Sequence, residues 1–374
     1  MSESRKKIKQ TKRWVVKLGS ALLTDEGCGL RVESLATWVK QIYALRQKGH
    51  EIVIVSSGAI AEGITRLGWK KRPHAVHDLQ AAAAVGQMGL IKAWESCFQD
   101  YHIHTAQILL TRDVIPNRER YLNARSTLRT LLKLGVIPIV NENDTVSTEE
   151  LLFGDNDTLA GLVTHLVDAD LLVLLTDQEG LYEADPCRYP EAKFISEAIA
   201  GDKTLEKYAG EGGALGRGGM KTKLDAATLA AKSGTSTIIA SGHTEDVLMQ
   251  IANGEACGTL LRSNQEALTA RKQWLAGQSQ TNGVLKIDQG AADALSQQGK
   301  SLLAVGVVQV EGDFRRGEIV MCIDPLDKEI ARGLVNYSAT ETRKIIGQPS
   351  DKFEDLLGYV DSAELIHRDD LVLL

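Results

Sequence analysis

A short β-branched run, Val136, Ile137, Ile139 and Val140, stops abruptly at Asn141, Glu142, Asn143 and Asp144, and this break constrains the fold more than any other stretch. A continuous apolar run of this length suits a parallel strand covered on both faces, and the sudden polar cluster marks where it leaves the sheet. In open α/β sheets that carboxyl edge is where ligands bind. A second cluster, Asp155, Asn156 and Asp157, follows the intervening loop and opens a predicted helix. Either cluster alone reads equally well as a solvated turn, because Asn, Asp and Gly are the usual turn residues. An EF-hand is excluded: counting from Asp155, Leu159 and Ala160 stand where an oxygen ligand and a glycine are required. The two clusters together offer carboxylates for the ammonium of an amino acid and amide donors for its carboxylate.

The same strand, polar turn, helix grammar recurs along the chain. Trp14 to Leu18 reads as a strand ending in Gly19-Ser20, with Lys17 interrupting the apolar run. A lysine there is costly unless an anion meets it. Leu35, Val39, Ile42 and Leu45 recur at helical spacing, and Gly49 closes that helix. Ile52 to Val55 passes into Ser56-Ser57-Gly58 and a further helix, so backbone N–H groups are offered to an anion at the sheet edge. Helices over Asp78 to Gln99, Tyr121 to Leu134 and Asp157 to Val167 alternate with strands at Ala106 to Leu110 and Leu171 to Leu175, the latter ending in Thr176-Asp177. His102 and His104 would share a face of the Ala106 strand with no partner to make a metal site. Such alternation defines a three-layer αβα sandwich with a largely parallel sheet.

Residues Gly210 to Lys223 are rich in glycine and run into a helix of small residues. Glycines let a backbone approach a phosphate, and Lys221, Lys223 and the helix N-terminus add positive potential. The segment is not a P-loop, since Gly219 and Met220 occupy the Lys and Ser/Thr positions after Gly213 and Gly218. No dinucleotide fingerprint follows any strand.

From Gly283 onward short β runs punctuated by glycines replace the alternation, as in a small mostly-β barrel. The predicted organisation is a mobile basic tail (residues 1–13), an α/β domain (14–262), a polar linker (263–282) and a β domain (283–374). The five cysteines are scattered, odd in number and without a Cys-x-x-Cys pair, which points to reduced thiols and a cytoplasmic setting. No apolar run is long enough to cross a membrane, and the basic start lacks the apolar centre of a leader.

Lysines and backbone N–H groups spread over several turns, with no Ser/His/Asp or Cys/His pairing, suit phosphoryl transfer better than hydrolysis. A carboxylate acceptor is already ionised at neutral pH, its ordinary pKa being about 4.3, so no general base is needed. Repulsion between two anions is the obstacle, and lysines on both sides of a γ-phosphate, with Mg²⁺ on the nucleotide, answer it.

Six motifs in order resemble the glutamate-phosphorylating branch of the amino acid kinase family: Val-Val-Lys-Leu-Gly-Ser (15–20), Val-Ser-Ser-Gly-Ala-Ile (55–60), Asn-Glu-Asn-Asp (141–144), Gly-Asp-Asn-Asp (154–157), Leu-Thr-Asp-Gln-Glu-Gly-Leu-Tyr (175–182) and Gly-Gly-Met-Lys-Thr-Lys (218–223). The C-terminal part is similar to a PUA domain. The resemblance implies ATP- and Mg²⁺-dependent phosphorylation of the γ-carboxylate of L-glutamate, opening proline synthesis, with feedback inhibition by L-proline. It implies Lys17 and Lys223 as the phosphate-neutralising pair, organised by Asp157. Glutamate would be held by Ser57, Gly58, Asn141, Asp144, Asp155 and Asn156. ATP would lie against Lys17, Gly19, Ser20, Thr176, Asp177, Arg217, Gly218, Gly219, Met220, Lys221, Thr222 and Lys223, with no metal ligand from the protein. Arg217 and Lys221 depart from the family's commonest pattern and add positive charge beside the nucleotide. The resemblance further implies a homo-oligomer, dimer or tetramer, and glutamyl phosphate reductase as a transient partner. Related kinases acting on carbamate, aspartate, acetylglutamate or UMP are the rival reading. PUA domains elsewhere bind RNA, but residues 283–374 carry 10 Lys and Arg against 16 Asp and Glu, and phosphate contacts ask for a basic surface. A structural or regulatory role is expected instead.

Overall fold

The computed structural model describes residues 2–25, 28–114, 117–147, 156–186, 188–208, 219–264 and 281–374. The chain divides into two compact units, Met1–Asp113 with Arg125–Ala267, and Val114–Ala124 with Leu268–Leu374. The sequence reading assigns residues 114–124 to the α/β domain, whereas the structure groups them with the second unit. There Arg316 donates to the Asn123 side chain, and Gly317, at φ +83°, lets the chain pass where a Cβ would lie 3.0 Å from the Arg118 backbone.

The first unit is built on one eight-stranded sheet. Its strands are β1 (Arg13–Leu18), β2 (Glu51–Val55), β3 (Thr105–Leu110), β4 (Ile137–Glu142), β5 (Leu171–Thr176), β6 (Glu197–Ile199), β7 (Ser236–Ser241) and β8 (Thr259–Arg262), in the order β6-β8-β7-β5-β1-β2-β4-β3. Every pairing is parallel except β7 with β8. The helices that matter for the site are α1 (Glu3–Ile8), α2 (Val32–Gln47), α3 (Ala59–Arg66), α4 (Val76–Gln99), α5 (Asp157–Val167) and α6 (Gly219–Ala231).

Strand alternation sorts β1 between two helical layers. Trp14, Val16 and Leu18 join a core with Leu35, Trp38 and Val39 of α2 and Leu90 and Trp94 of α4. Val15 and Lys17 therefore face the opposite layer, where α5 and α6 pack on each other. Leu171 to Leu175 are fully buried, as a strand covered on both faces requires. After β1 the chain forms β2 beside it, then the edge strand β3, fills the place between them with β4, and crosses to the other side of β1 as β5. The crevice beyond the carboxyl ends of β1 and its neighbours is thus the topological switch point, where ligands of open α/β sheets bind.

Residues 2–13 are not a mobile tail. Ser2 caps α1, and the Arg5 guanidinium, buried, donates to the carbonyls of Ser196, Glu255, Cys257 and Gly258. Arg presents five N–H donors in a fixed fork, and four carbonyls converging on it hold the segment down. His102 and His104 lie before β3, with His102 at φ 55°, so they do not share a strand face.

The second unit holds a five-stranded sheet, with β9 (Gly283–Ile287), β10 (Val307–Gly312), β11 (Ile319–Ile323), β12 (Glu329–Leu334) and β13 (Leu371–Leu373) in the order β10-β9-β11-β12-β13. Its core gathers Phe314, Tyr337 and Phe353 with Leu285, Val320 and Ile366. Most of the expected linker falls outside the described residues.

Candidate active site

Three elements deliver charge to one point on the switch-point crevice. Lys17 comes from the penultimate position of β1, Asp157 opens α5, and Lys223 stands in the first turns of α6. Asp157 Oδ1 lies 2.6 Å from Lys17 Nζ and Oδ2 lies 3.0 Å from Lys223 Nζ, while Thr222 Oγ1 donates to Oδ2 at 2.9 Å. The carboxylate is fully buried and both lysines nearly so. Two cations thus meet one carboxylate among the described residues, and in a poorly solvated site such ammonium groups act strongly on an approaching anion.

Asn156 precedes Asp157 and uses its side chain elsewhere. At a helix N-cap an Asn would accept from the first-turn N–H groups, but this one makes no cap bond. Instead Nδ2 donates to the Ser56 carbonyl at 2.6 Å and to Asn141 Oδ1 at 2.8 Å, with Ser57 Oγ at 3.4 Å. Asn156 is nearly inaccessible, and its Oδ1 has no hydrogen-bond partner among the described residues. This decides against the turn reading for Asn156. Gly58, at φ 99°, caps α3 in the left-handed region that glycine enters freely, which turns the chain sharply after Ser57.

Asp144 is buried beyond the end of β4, and one of its oxygens also has no hydrogen-bond partner among the described residues. Burial, and then the neighbouring Glu142 charge, push its carboxyl up to about 7, against the opposing pull of Arg72. Burial and a like charge thus both disfavour its ionised form.

The turns after β1 and β5 are adjacent because Leu18 and Leu175 are paired. Gly19 N–H donates to the Leu175 carbonyl at 3.2 Å, and Ser20 opens a single helical turn, exposed. Thr176 donates from Oγ1 to Asp177 Oδ1 at 2.9 Å, and its carbonyl accepts from Gly242 N–H. The helix after the glycine-rich segment starts at Gly219, earlier than the small-residue run suggests, so Met220 to Lys223 lie in its opening turns. Lys221 is exposed and does not join the Asp157 cluster. Asp155, Arg217 and Gly218 lie outside the described residues.

The sequence reading missed the groups that orient the amides. Asn141 Nδ2 donates to Gln87 Oε1 at 2.7 Å, and Trp94 Nε1 donates to Ser56 Oγ at 3.0 Å. Both come from α4, where a Gln in a run of alanines and a buried Trp give no signal beyond packing.

The sequence matches the amino acid kinase family over residues 12–241 and the PUA domain over residues 283–357. The chain belongs to the amino acid kinase family. It is 61% identical to the glutamate 5-kinase of Ectopseudomonas mendocina over 99% of its own length and 100% of that protein's. Against the glutamate 5-kinase of Nitrosospira multiformis the identity is 59% over 98% of this chain and 99% of the other. Among solved structures, the carbamate kinase from Giardia lamblia bound to AMP-PNP is similar with a TM-score of 0.49 and 17% identity, over 68% of this chain and 99% of that one.

Proposed function

We propose that this chain transfers the γ-phosphoryl group of ATP to the γ-carboxylate of L-glutamate, giving L-glutamyl 5-phosphate and ADP. Full-length similarity to glutamate 5-kinases supports the acceptor. The observation that carries the chemistry is the single buried carboxylate of Asp157 facing two ammonium groups. A glutamate carboxylate oxygen attacks the γ-phosphorus, the bond to the β,γ-bridging oxygen breaks, and ADP takes the electron pair. Lys17 and Lys223 offset the charge shared among attacking, transferring and leaving oxygens, while Asp157 fixes where the two ammonium groups stand. Asp144 takes the substrate ammonium, and Ser57, Gly58, Asn141, Asp155 and Asn156 complete the amino-acid side. Gly19, Ser20, Thr176, Asp177 and the segment from Arg217 to Lys223 take the nucleotide.

Both oxygens of Asp157 face cations, and no group of three His, Cys, Asp or Glu side chains gathers as a metal site among the described residues. Mg²⁺ would be carried by ATP and would spread the charge of its phosphates. The same reading makes the product the committed precursor of proline, L-proline an inhibitor at the glutamate side, and glutamyl phosphate reductase the enzyme that receives the product. It carries a cytoplasmic, homo-oligomeric enzyme with it. Among the described residues no helix is long and apolar enough to cross a membrane.

The test is ADP release measured with glutamate, aspartate, acetylglutamate, carbamate and UMP, with hydroxylamine present to trap an acyl phosphate. Glutamate-dependent release with formation of the γ-hydroxamate is expected. Release with another acceptor and none with glutamate would overturn the assignment.

A further inference from the structure

We infer that Gln87 is a positioning residue for the amino-acid substrate, acting through Asn141 on Asn156; this rests on the function proposed above. The Ser56 carbonyl can only accept, so the Asn156 group facing it at 2.6 Å is Nδ2. The same Nδ2 reaches Asn141 at 2.8 Å, which must therefore present its oxygen. That leaves Asn141 Nδ2 to point the other way, where Gln87 Oε1 accepts it at 2.7 Å. Each amide fixes the orientation of the next. The relay ends at Asn156 Oδ1, buried and without a hydrogen-bond partner among the described residues, on the residue that precedes Asp157. An acceptor held in that place is suited to the ammonium of an α-amino acid.

The backbone that carries Gln87 is held in place by packing. Its neighbour Gly86 lies so close to α3 that a Cβ there would stand 1.8 Å from the Ala59 carbonyl oxygen. Seven residues along α4 and on the same face, Trp94 holds Ser56, whose carbonyl is the other acceptor for Asn156. One rigid helix thus fixes both partners of the Asn156 amide. Without the Gln87 oxygen, the Asn141 carboxamide loses its buried acceptor, and nothing on that side keeps its oxygen turned toward Asn156. The Asn156 amide is then no longer held, while Lys17, Asp157 and Lys223 are untouched.

The experiment is steady-state kinetics of the full chain with Gln87→Met, which keeps the volume and removes the acceptor, and with Gln87→Glu, which keeps an accepting oxygen. Gln87→Met should raise the KM for glutamate by about tenfold, the size of losing one buried hydrogen-bond partner, with the KM for ATP and kcat held within about threefold of the parent. Gln87→Glu should raise the glutamate KM less than Gln87→Met does. Combined with Asn156→Ala, Gln87→Met should add little to the loss that Asn156→Ala causes alone. An unmoved glutamate KM in Gln87→Met, equal losses on ATP and glutamate, equal effects of Met and Glu, or additivity with Asn156→Ala would each overturn the inference while leaving the proposed function standing. A parent chain that releases no ADP with glutamate would overturn both.

Discussion

Lys17 and Asp157 meet at 2.6 Å with the carboxylate fully buried, a contact between the end of the central strand β1 and the first residue of α5, the helix between β4 and β5. Lys223 completes the arrangement from a third element. If these ammonium groups serve the transferring phosphate, Lys223→Ala lowers kcat by about 10²- to 10³-fold, as loss of one transition-state donor does. The protein stays folded, because Asp157 keeps Lys17. Turnover within a few-fold of the parent, in a variant of unchanged thermal stability, would contradict that role.

Removing the carboxylate has the opposite balance. Asp157→Ala leaves two buried ammonium groups facing each other, and breaking a buried ion pair costs about 3–5 kcal/mol. The melting temperature falls, and ATP or inorganic pyrophosphate restores part of it by supplying the missing negative charge. Thermal unfolding with and without the anion checks this; a melting temperature that the anion leaves unmoved would remove the electrostatic basis of the site.

Asp144 sets a pH dependence. Its carboxyl is raised from 3.8 to about 7, so the folded chain holds this proton more tightly than the unfolded one. Stability from this group is fully present below about pH 4 and is lost as pH rises toward and through 7. Substrate use runs the other way, since only the ionised form attracts an ammonium. The KM for glutamate should fall as pH rises through about 7 and then level off, and Asp144→Asn should flatten that profile with glutamate bound weakly throughout. A parent profile flat from pH 5.5 to 8.5 would exclude Asp144 from the ammonium site.

Arg5 tests the docked N-terminus. Arg5→Ala strips four carbonyls of a shared donor and should lower stability by about 1–3 kcal/mol, with glutamate and ATP KM values near those of the parent. Denaturant unfolding measures the first and kinetics the second; a fully stable variant would show that the segment contributes nothing.

What the sequence made legible follows from how local each signal is. Lys17 stands out because a charge interrupts an apolar run, and Asn156 and Asp157 because they open a helix with polar side chains. The alternation of strands and helices predicts the layered sheet, since each element writes its own periodicity. Arg5 hides in a run of basic residues that reads as solvated, and the carbonyls that bury it come from residues 196 and 255–258. Gln87 hides for the same reason: its partner Asn141 lies on another element, and nothing near it in sequence distinguishes it from a surface glutamine. The segment 114–124 carries no compositional break, so its grouping with the second unit comes only from contacts such as Arg316 with Asn123. Strand β13 is three residues long, too short for a period to register.

Whether Lys17 and Lys223 flank the phosphoryl group in flight is decided by a crystal structure of the chain with glutamate and a non-hydrolysable ATP analogue. Both Nζ atoms should lie within about 3.2 Å of terminal phosphate oxygens, with the glutamate γ-carboxylate in line beyond the phosphorus. A γ-phosphate bound away from both lysines, with each ammonium group still engaged by Asp157, would contradict it.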